Sequence, residues 1–114
     1  MSFVEEKYID VQDALKRVGG NSALYKNLLT RFAEGDQFKK FDESLEGGNK
    51  TDISHAAHAI KGVAANLSLI RLRDVSAALE QEVVNDGDHT ARINEFRETY
   101  DATIQLVLET IPTL

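Results

Sequence analysis

Residues 51–67 read TDISHAAHAIKGVAANL, and this stretch decides the fold. Five of its apolar residues recur every three or four positions, which is the spacing of one face of an α-helix. At about 100° per residue, these five positions fall within a sector of roughly 80°. They are Ile53, Ala57, Ile60, Ala64 and Leu67. The stretch therefore predicts an amphipathic helix with one buried side.

Cap residues and glycines on both sides of this stretch mark the boundaries of further helices. The predicted helix starts are Asp10, supported by Asp13, then Asn21 or Ser22, Thr51 or Asp52, and Asp88. The predicted ends are Gly19-Gly20, Gly47-Gly48, Leu67, Asp86-Gly87 and Ile111, which precedes Pro112. The second of these helices is expected to bend at Gly35-Asp36, and Leu72, Val75, Leu79 and Val83 form the apolar stripe of the fourth.

No segment alternates apolar and polar residues with the period of two that indicates a β-strand, so the predicted class is all-α. Short loops between long helices place consecutive helices antiparallel. We therefore predict an antiparallel up-down four-helix bundle with a short N-terminal helix across one end. A chain of 114 residues favours one domain, over residues 1–114.

Composition excludes several classes of function. The chain has no Cys, so it has neither disulfides nor thiolate metal sites. Its formal net charge of -6 opposes binding to nucleic acid or to anionic lipid, because both require Lys and Arg to neutralise phosphates. No apolar run approaches the about 20 residues of a membrane span, and the acidic start MSFVEEKYID is not a secretory signal. We expect a monomeric, cytoplasmic protein that acts on small ligands or on other proteins.

The side of the predicted helix at 51–67 that faces away from the apolar stripe has an unusual composition. Solvated helix faces are usually filled with Glu, Lys, Arg and Gln. This face instead has small residues, two imidazoles and one Lys, namely Thr51, Ser54, His55, His58, Lys61, Gly62, Ala65 and Asn66. Gly62 within an exposed helix costs about 1 kcal/mol relative to Ala. The composition indicates that another molecule approaches the backbone closely here.

His58, Lys61 and Gly62 together indicate a phosphoryl acceptor. A neutral, solvent-exposed imidazole is a competent nucleophile near pH 7. Lys61 lies three residues beyond His58 on an adjacent line of the helix, where its ammonium can offset charge on a phosphoryl group held by the ring. Gly62, one turn on, leaves the approach to that ring open.

The segment HAIKGVAANL, residues 58–67, resembles the signature of histidine-containing phosphotransfer (Hpt) domains. The likeness extends to RVGGNSALYKNLLTRF at 17–32, to Ile9-Asp10, and to Leu72 with Ala78-Leu79-Glu80. The resemblance implies that His58 is the phosphorylated residue, that Lys61 and Gly62 support it, and that the partner is a response-regulator receiver domain. Ser68 departs from the family pattern, which has Gly where a left-handed helix end is formed.

The same resemblance implies a phosphoryl carrier that accepts the group from the aspartyl phosphate of one receiver and passes it to another. A hybrid histidine kinase is a further possible partner. Ser54, His55 and Ala65 are candidates for the partner-binding surface around His58, and the role of His55 stays open. The chain has neither a P-loop nor a Gly-rich kinase motif, so it is not expected to be an ATP-dependent enzyme. No cofactor is expected, and Mg²⁺ is expected on the receiver alone.

Two alternative functions belong to other classes. Asp52, His55 and His58 repeat at intervals of three, which would suit a metal site. However, the chain lacks both HExxH and the paired Glu-x-x-His helices of bundle di-metal sites. The second alternative is a degenerate Hpt-like bundle that binds a receiver or another protein partner without carrying phosphate. Phosphorylation of His58 distinguishes it from the carrier.

Overall fold

The computed structural model of the protein describes residues 8–114, and helices dominate this part of the chain. The α-helices are α1 (Val11–Arg17), α2 (Ser22–Glu34), α3 (Gln37–Gly47), α4 (Lys50–Asn66), α5 (Ile70–Glu82) and α6 (Thr90–Thr110), followed by a 3₁₀ turn at Ile111–Thr113. No β-strand occurs between residues 8 and 114, which confirms the all-α class. None of the helices in this range is long and apolar enough to cross a bilayer. The acidic start at residues 1–7 lies outside the described part.

The predicted second helix is two helices. Its expected bend is a full interruption, because Gly35 adopts an extended backbone with φ -72° and ψ 166° between α2 and α3. The side chain of Gln37 occupies the gap. Its Nε2 donates to the carbonyl oxygen of Phe32 at 2.8 Å and to the hydroxyl of Tyr100 at 2.6 Å. The amide of Gln37 therefore adds a second hydrogen bond to the carbonyl of Phe32, which also accepts from the backbone N–H of Gly35 at the end of α2.

Side-chain caps fix three of the helix starts. Asp10 Oδ1 accepts from the backbone N–H of Asp13 at 3.0 Å, as expected, and Asn21 caps α2 in the same way. The start predicted for α4 is wrong by two or three residues, since Asn49 rather than Thr51 or Asp52 is the cap. Left-handed Gly48 ends α3 and leads directly into Asn49, whose side chain accepts from the N–H of Asp52 at 3.1 Å.

The core confirms the predicted buried side of α4. All five residues of its apolar stripe are buried, with relative exposure of 7% or less. This side of α4 packs on α3 and on α5, while α5 also packs on α6. An aromatic cluster fills the space between α2, α3 and α6, with ring centroids 4.4 to 6.3 Å apart. It consists of Phe32, Phe38, Phe41, Phe96 and Tyr100. The antiparallel up-down order of four helices stays a prediction.

The turn after α4 retains the left-handed conformation although it has Ser in place of Gly. Ser68 has φ 55°, and its buried hydroxyl donates to Oδ2 of Asp13 at 2.7 Å. Its carbonyl oxygen also accepts from the N–H of Asp10 at 3.0 Å. Burial raises the pKa of Tyr25 to about 12, so its hydroxyl stays protonated and donates to the carbonyl of Leu67 at 2.9 Å. These bonds join α1 and α2 to the C-terminal end of α4.

Ser68→Ala is expected to reduce stability more than Ser68→Gly. Alanine loses the hydrogen bond to Asp13 and keeps the unfavourable positive φ, whereas Gly loses the bond but adopts that backbone freely. The two variants should differ by about 1–2 kcal/mol in the free energy of unfolding, measured by urea titration at pH 7. Equal stabilities would contradict this account of the turn.

Acid should reduce the deficit of Ser68→Ala relative to the native protein. The hydroxyl of Ser68, followed by Arg17, holds the pKa of Asp13 below its ordinary value of 3.8. A lowered carboxyl pKa contributes stability that is present above the ordinary value and is lost as pH falls through the folded-state value. Repeating the urea titrations at pH 3 checks this dependence.

Candidate functional site

The imidazole of His58 lies near the middle of α4, on the side that faces solvent. Its side chain is 64% exposed, while Ala57 and Ile60 beside it in the sequence are fully buried. This arrangement follows from the helical period, because a residue one or two positions away from a buried residue points to a different side of the helix. The structure therefore exposes the predicted acceptor on a rigid helix.

The carboxylate of Glu80 on α5 joins His58 to Lys61. Oε2 of Glu80 lies 2.7 Å from Nδ1 of His58, and Nζ of Lys61 donates to Oε1 of the same carboxylate at 2.7 Å. His58 and Lys61 are three residues apart and so project from neighbouring lines of α4. Both lines run along the side next to α5, which brings one carboxylate within reach of both groups.

Hydrogen bonds with two neighbouring side chains keep this partly buried carboxylate ionised. The side chain of Glu80 is 22% exposed and that of Lys61 is 32% exposed. The hydrogen bond from Lys61 lowers the pKa of Glu80, and the hydrogen bond with His58 lowers it further against the opposing effect of burial. Glu80 is therefore an anion at neutral pH.

An ionised carboxylate fixes the tautomer of the ring it contacts. A carboxylate only accepts hydrogen bonds, so the short contact requires the hydrogen of neutral His58 to be on Nδ1. The lone pair is then on Nε2, the ring nitrogen on the far side from Glu80. This arrangement orients a nucleophilic nitrogen, as the carboxylate in a Ser-His-Asp triad orients its imidazole.

Glu80 is the site residue that the sequence reasoning did not assign. It is 22 residues from His58 in the chain, and its approach depends on how α5 packs against α4. Two features of the sequence could have drawn attention to Glu80. It belongs to Ala78-Leu79-Glu80, which is part of the family resemblance, and it directly follows Leu79, which is buried. Neither signal identifies His58 and Lys61 as its contacts.

Gly62 is exposed and has no structural reason to be glycine. A Cβ atom built at this position meets nothing within 4 Å, and the backbone is helical. The fold would accept a larger residue and gain helix propensity from it. The open space next to His58 is therefore a property of the surface and not a requirement of packing.

The other predicted contact residues, Ser54, His55 and Ala65, differ in how far they are exposed. The hydroxyl of half-buried Ser54 donates to the backbone carbonyl of Glu80 at 3.3 Å, so this side chain faces α5. His55 is exposed and Ala65 is half-buried. Asp52, His55 and His58 are not brought together as a group of three potential metal ligands, and no such group is found within residues 8–114.

Comparison with known proteins gives one match. The family model of the Hpt domain matches residues 28–111, a range that contains His58, Lys61, Gly62 and Glu80. No curated protein and no solved structure matches the chain. Hpt domains are phosphoryl carriers rather than kinases, and they interact with receiver domains and histidine kinases in two-component signalling. Since the match covers well over half of its length, this chain belongs to the Hpt domain family.

Proposed function

We propose that this protein is the phosphotransfer intermediate of a two-component phosphorelay, with His58 as the phosphoryl acceptor. It receives the group from the aspartyl phosphate of one receiver domain and passes it to another. The observation that carries the proposal is the exposed imidazole of His58, whose Nδ1 is held by Glu80 while Nε2 faces away from that carboxylate. Lys61 and Gly62 lie beside it on α4. The scaffold we propose is the antiparallel up-down four-helix bundle.

The transfer step uses the orientation of the ring. The Nε2 lone pair of His58 attacks phosphorus, and the P–O bond to the receiver's aspartyl oxygen breaks. The freed aspartyl carboxylate keeps the bonding electron pair. Phosphoryl transfer needs positioning and charge stabilisation above all. Lys61 provides a cation next to the ring, which stabilises the negative charge spread over the transferring oxygens.

The surface around His58 suits the approach of another protein domain. Gly62 leaves the space beside the ring open, and Ser54, His55 and Ala65 form the small and polar surroundings that a receiver would contact. We expect receiver domains as partners of a cytoplasmic monomer, and a hybrid histidine kinase is a second candidate partner. The receiver supplies the Mg²⁺, and the carrier itself needs neither ATP nor a cofactor.

Substitution of the two imidazoles should separate acceptor from neighbour. His58→Gln should abolish acid-labile, base-stable phosphate on the protein, because the nucleophilic nitrogen is lost. His55→Gln is the matched control on the same helix face, and it should retain phosphorylation with at most a changed rate. The measurement is phosphate transfer from phosphorylated receiver domains, and in parallel from phosphoramidate, followed by gel retention and peptide mass spectrometry.

Each outcome of this experiment decides between named functions. Phosphate that persists on His58→Gln, or that maps to His55 in the native protein, would overturn the assignment of the acceptor. A native protein that binds receivers but takes phosphate from neither donor would support the degenerate binding module.

Gly62→Gln should slow transfer from a receiver sharply without unfolding the helix. The substituent meets no protein atom at Cβ, so it fills only the space through which a partner approaches. Gly62→Ala is the control with a minimal side chain and should slow transfer less. Phosphoramidate is small, and its rate with Gly62→Gln should stay close to that of the native protein. Equal slowing with both donors would show that Gly62 acts on the ring itself and not on partner access.

A further inference from the structure

Both carboxylate oxygens of Glu80 are engaged at the acceptor, one by His58 and one by Lys61, each at 2.7 Å. A neutral side chain in this place would suffice to orient the ring, because its oxygen could also accept a hydrogen bond from Nδ1–H. The negative charge of Glu80 also affects how strongly the ring retains its Nδ1 hydrogen. An anion that accepts a hydrogen bond from Nδ1 favours the hydrogen-bearing form of the ring over the form that has lost it.

This property matters once the ring carries a phosphoryl group. With phosphorus on Nε2 and hydrogen on Nδ1, the ring is a cation. When the P–N bond breaks, the bonding electron pair returns to Nε2 and the ring leaves as neutral imidazole. If Nδ1 has lost its hydrogen first, the ring must leave as imidazolate, which is a much poorer leaving group. The hydrogen on Nδ1 therefore controls how fast the phosphoryl group departs.

We propose that Glu80 is a positioning residue that retains the Nδ1 hydrogen of phosphorylated His58 and thereby keeps His58 a fast phosphoryl donor at neutral and mildly alkaline pH. This inference rests on the proposed function. The reaction it concerns is transfer from Nε2 to a receiver aspartate or to water. An acceptor oxygen bonds to phosphorus, the P–N bond breaks, and neutral His58 is regenerated with its hydrogen still on Nδ1. When water is the acceptor, its proton is released to the solvent.

The charged groups around the ring are consistent with this role. On α5, Glu80 contacts Nδ1 directly, and its lowered pKa keeps it ionised across the relevant pH range. On α4, the Lys61 cation is paired with the other oxygen of the same carboxylate. His55, one turn earlier on α4, is the second imidazole of this helix and is exposed to solvent. Of these groups, Glu80 is the one hydrogen-bonded to the ring nitrogen that carries the proton.

The test measures the lifetime of phosphorylated His58 as a function of pH. The native protein and Glu80→Gln are phosphorylated with phosphoramidate, freed of the reagent, and followed by intact mass spectrometry between pH 6 and 9. Glutamine keeps an oxygen that accepts from Nδ1 and removes the charge. Glu82→Gln is the matched control, because it removes one negative charge from the same helix at a residue that contacts His89 and Arg92 instead of His58.

Glu80→Gln should lose phosphate about three- to tenfold more slowly than the native protein at pH 8. At pH 6 the two rates should converge, because both phosphorylated rings hold the Nδ1 hydrogen there. Glu82→Gln should follow the native protein at every pH. Circular dichroism and thermal melts verify that the substitution of the partly buried Glu80 leaves the fold intact.

The outcomes separate this inference from the proposed function. If His58 is phosphorylated but native protein and Glu80→Gln share one pH profile, the charge of Glu80 has no such role and the inference is wrong, while the carrier function stands. A slowing of equal size at pH 6 and pH 8 would also overturn it, since a purely structural effect would have no pH dependence. If native His58 takes no phosphate from either phosphoramidate or receivers, the proposed function itself fails.

Discussion

The packing of α5 against α4 is the constraint on which the site depends. Ala57 and Ala64 are fully buried on α4, and such small side chains allow a neighbouring helix to approach closely. Leu72 and Leu79 of α5 are buried in the same core. This contact fixes the rotation of both helices about their axes. It thereby determines that Glu80 lies beside His58 and Lys61 rather than in solvent.

The site combines side chains that are held on one helix with an open surface beside them. His58, Lys61 and Gly62 lie within five residues of one helix, so their relative positions follow from helix geometry alone. Glu80 comes from a second helix and links the first two through hydrogen bonds to both. Gly62 adds no contact of its own, and its missing side chain leaves the approach open. The arrangement suits a phosphoryl group that one large partner delivers to His58 and another removes from it.

Local physics accounts for the features that the sequence predicted correctly. The period of 3.6 residues was sufficient to assign the buried stripe of α4 and to expose His58 on the other side. Two features could not be predicted because non-local contacts decide them. The break between α2 and α3 is completed by Gln37, whose amide reaches Tyr100 far along the chain. Glu80 was missed for the same reason, because its partners are known only once α5 is placed beside α4.

The turn after α4 is another feature that the sequence alone could not predict. Ser68 departs from the glycine expected in a left-handed position, and sequence alone could not show how the turn would respond. The structure retains the conformation, and the hydroxyl of Ser68 donates to Asp13. That partner lies 55 positions earlier in the chain, so the interaction requires the folded arrangement of α1 against the end of α4.

The most direct test of the account is the position of the hydrogen on the His58 ring. Long-range ¹H–¹⁵N correlation spectra of the unphosphorylated protein at pH 8 distinguish the two ring nitrogens, and His58→Gln assigns the signals. The free imidazole of histidine favours hydrogen on Nε2, so the contact with Glu80 makes the opposite prediction. Hydrogen on Nδ1 with a bare Nε2 is the expected result. Hydrogen on Nε2 would contradict the account, because the nucleophilic lone pair would then point at the carboxylate and not at the partner.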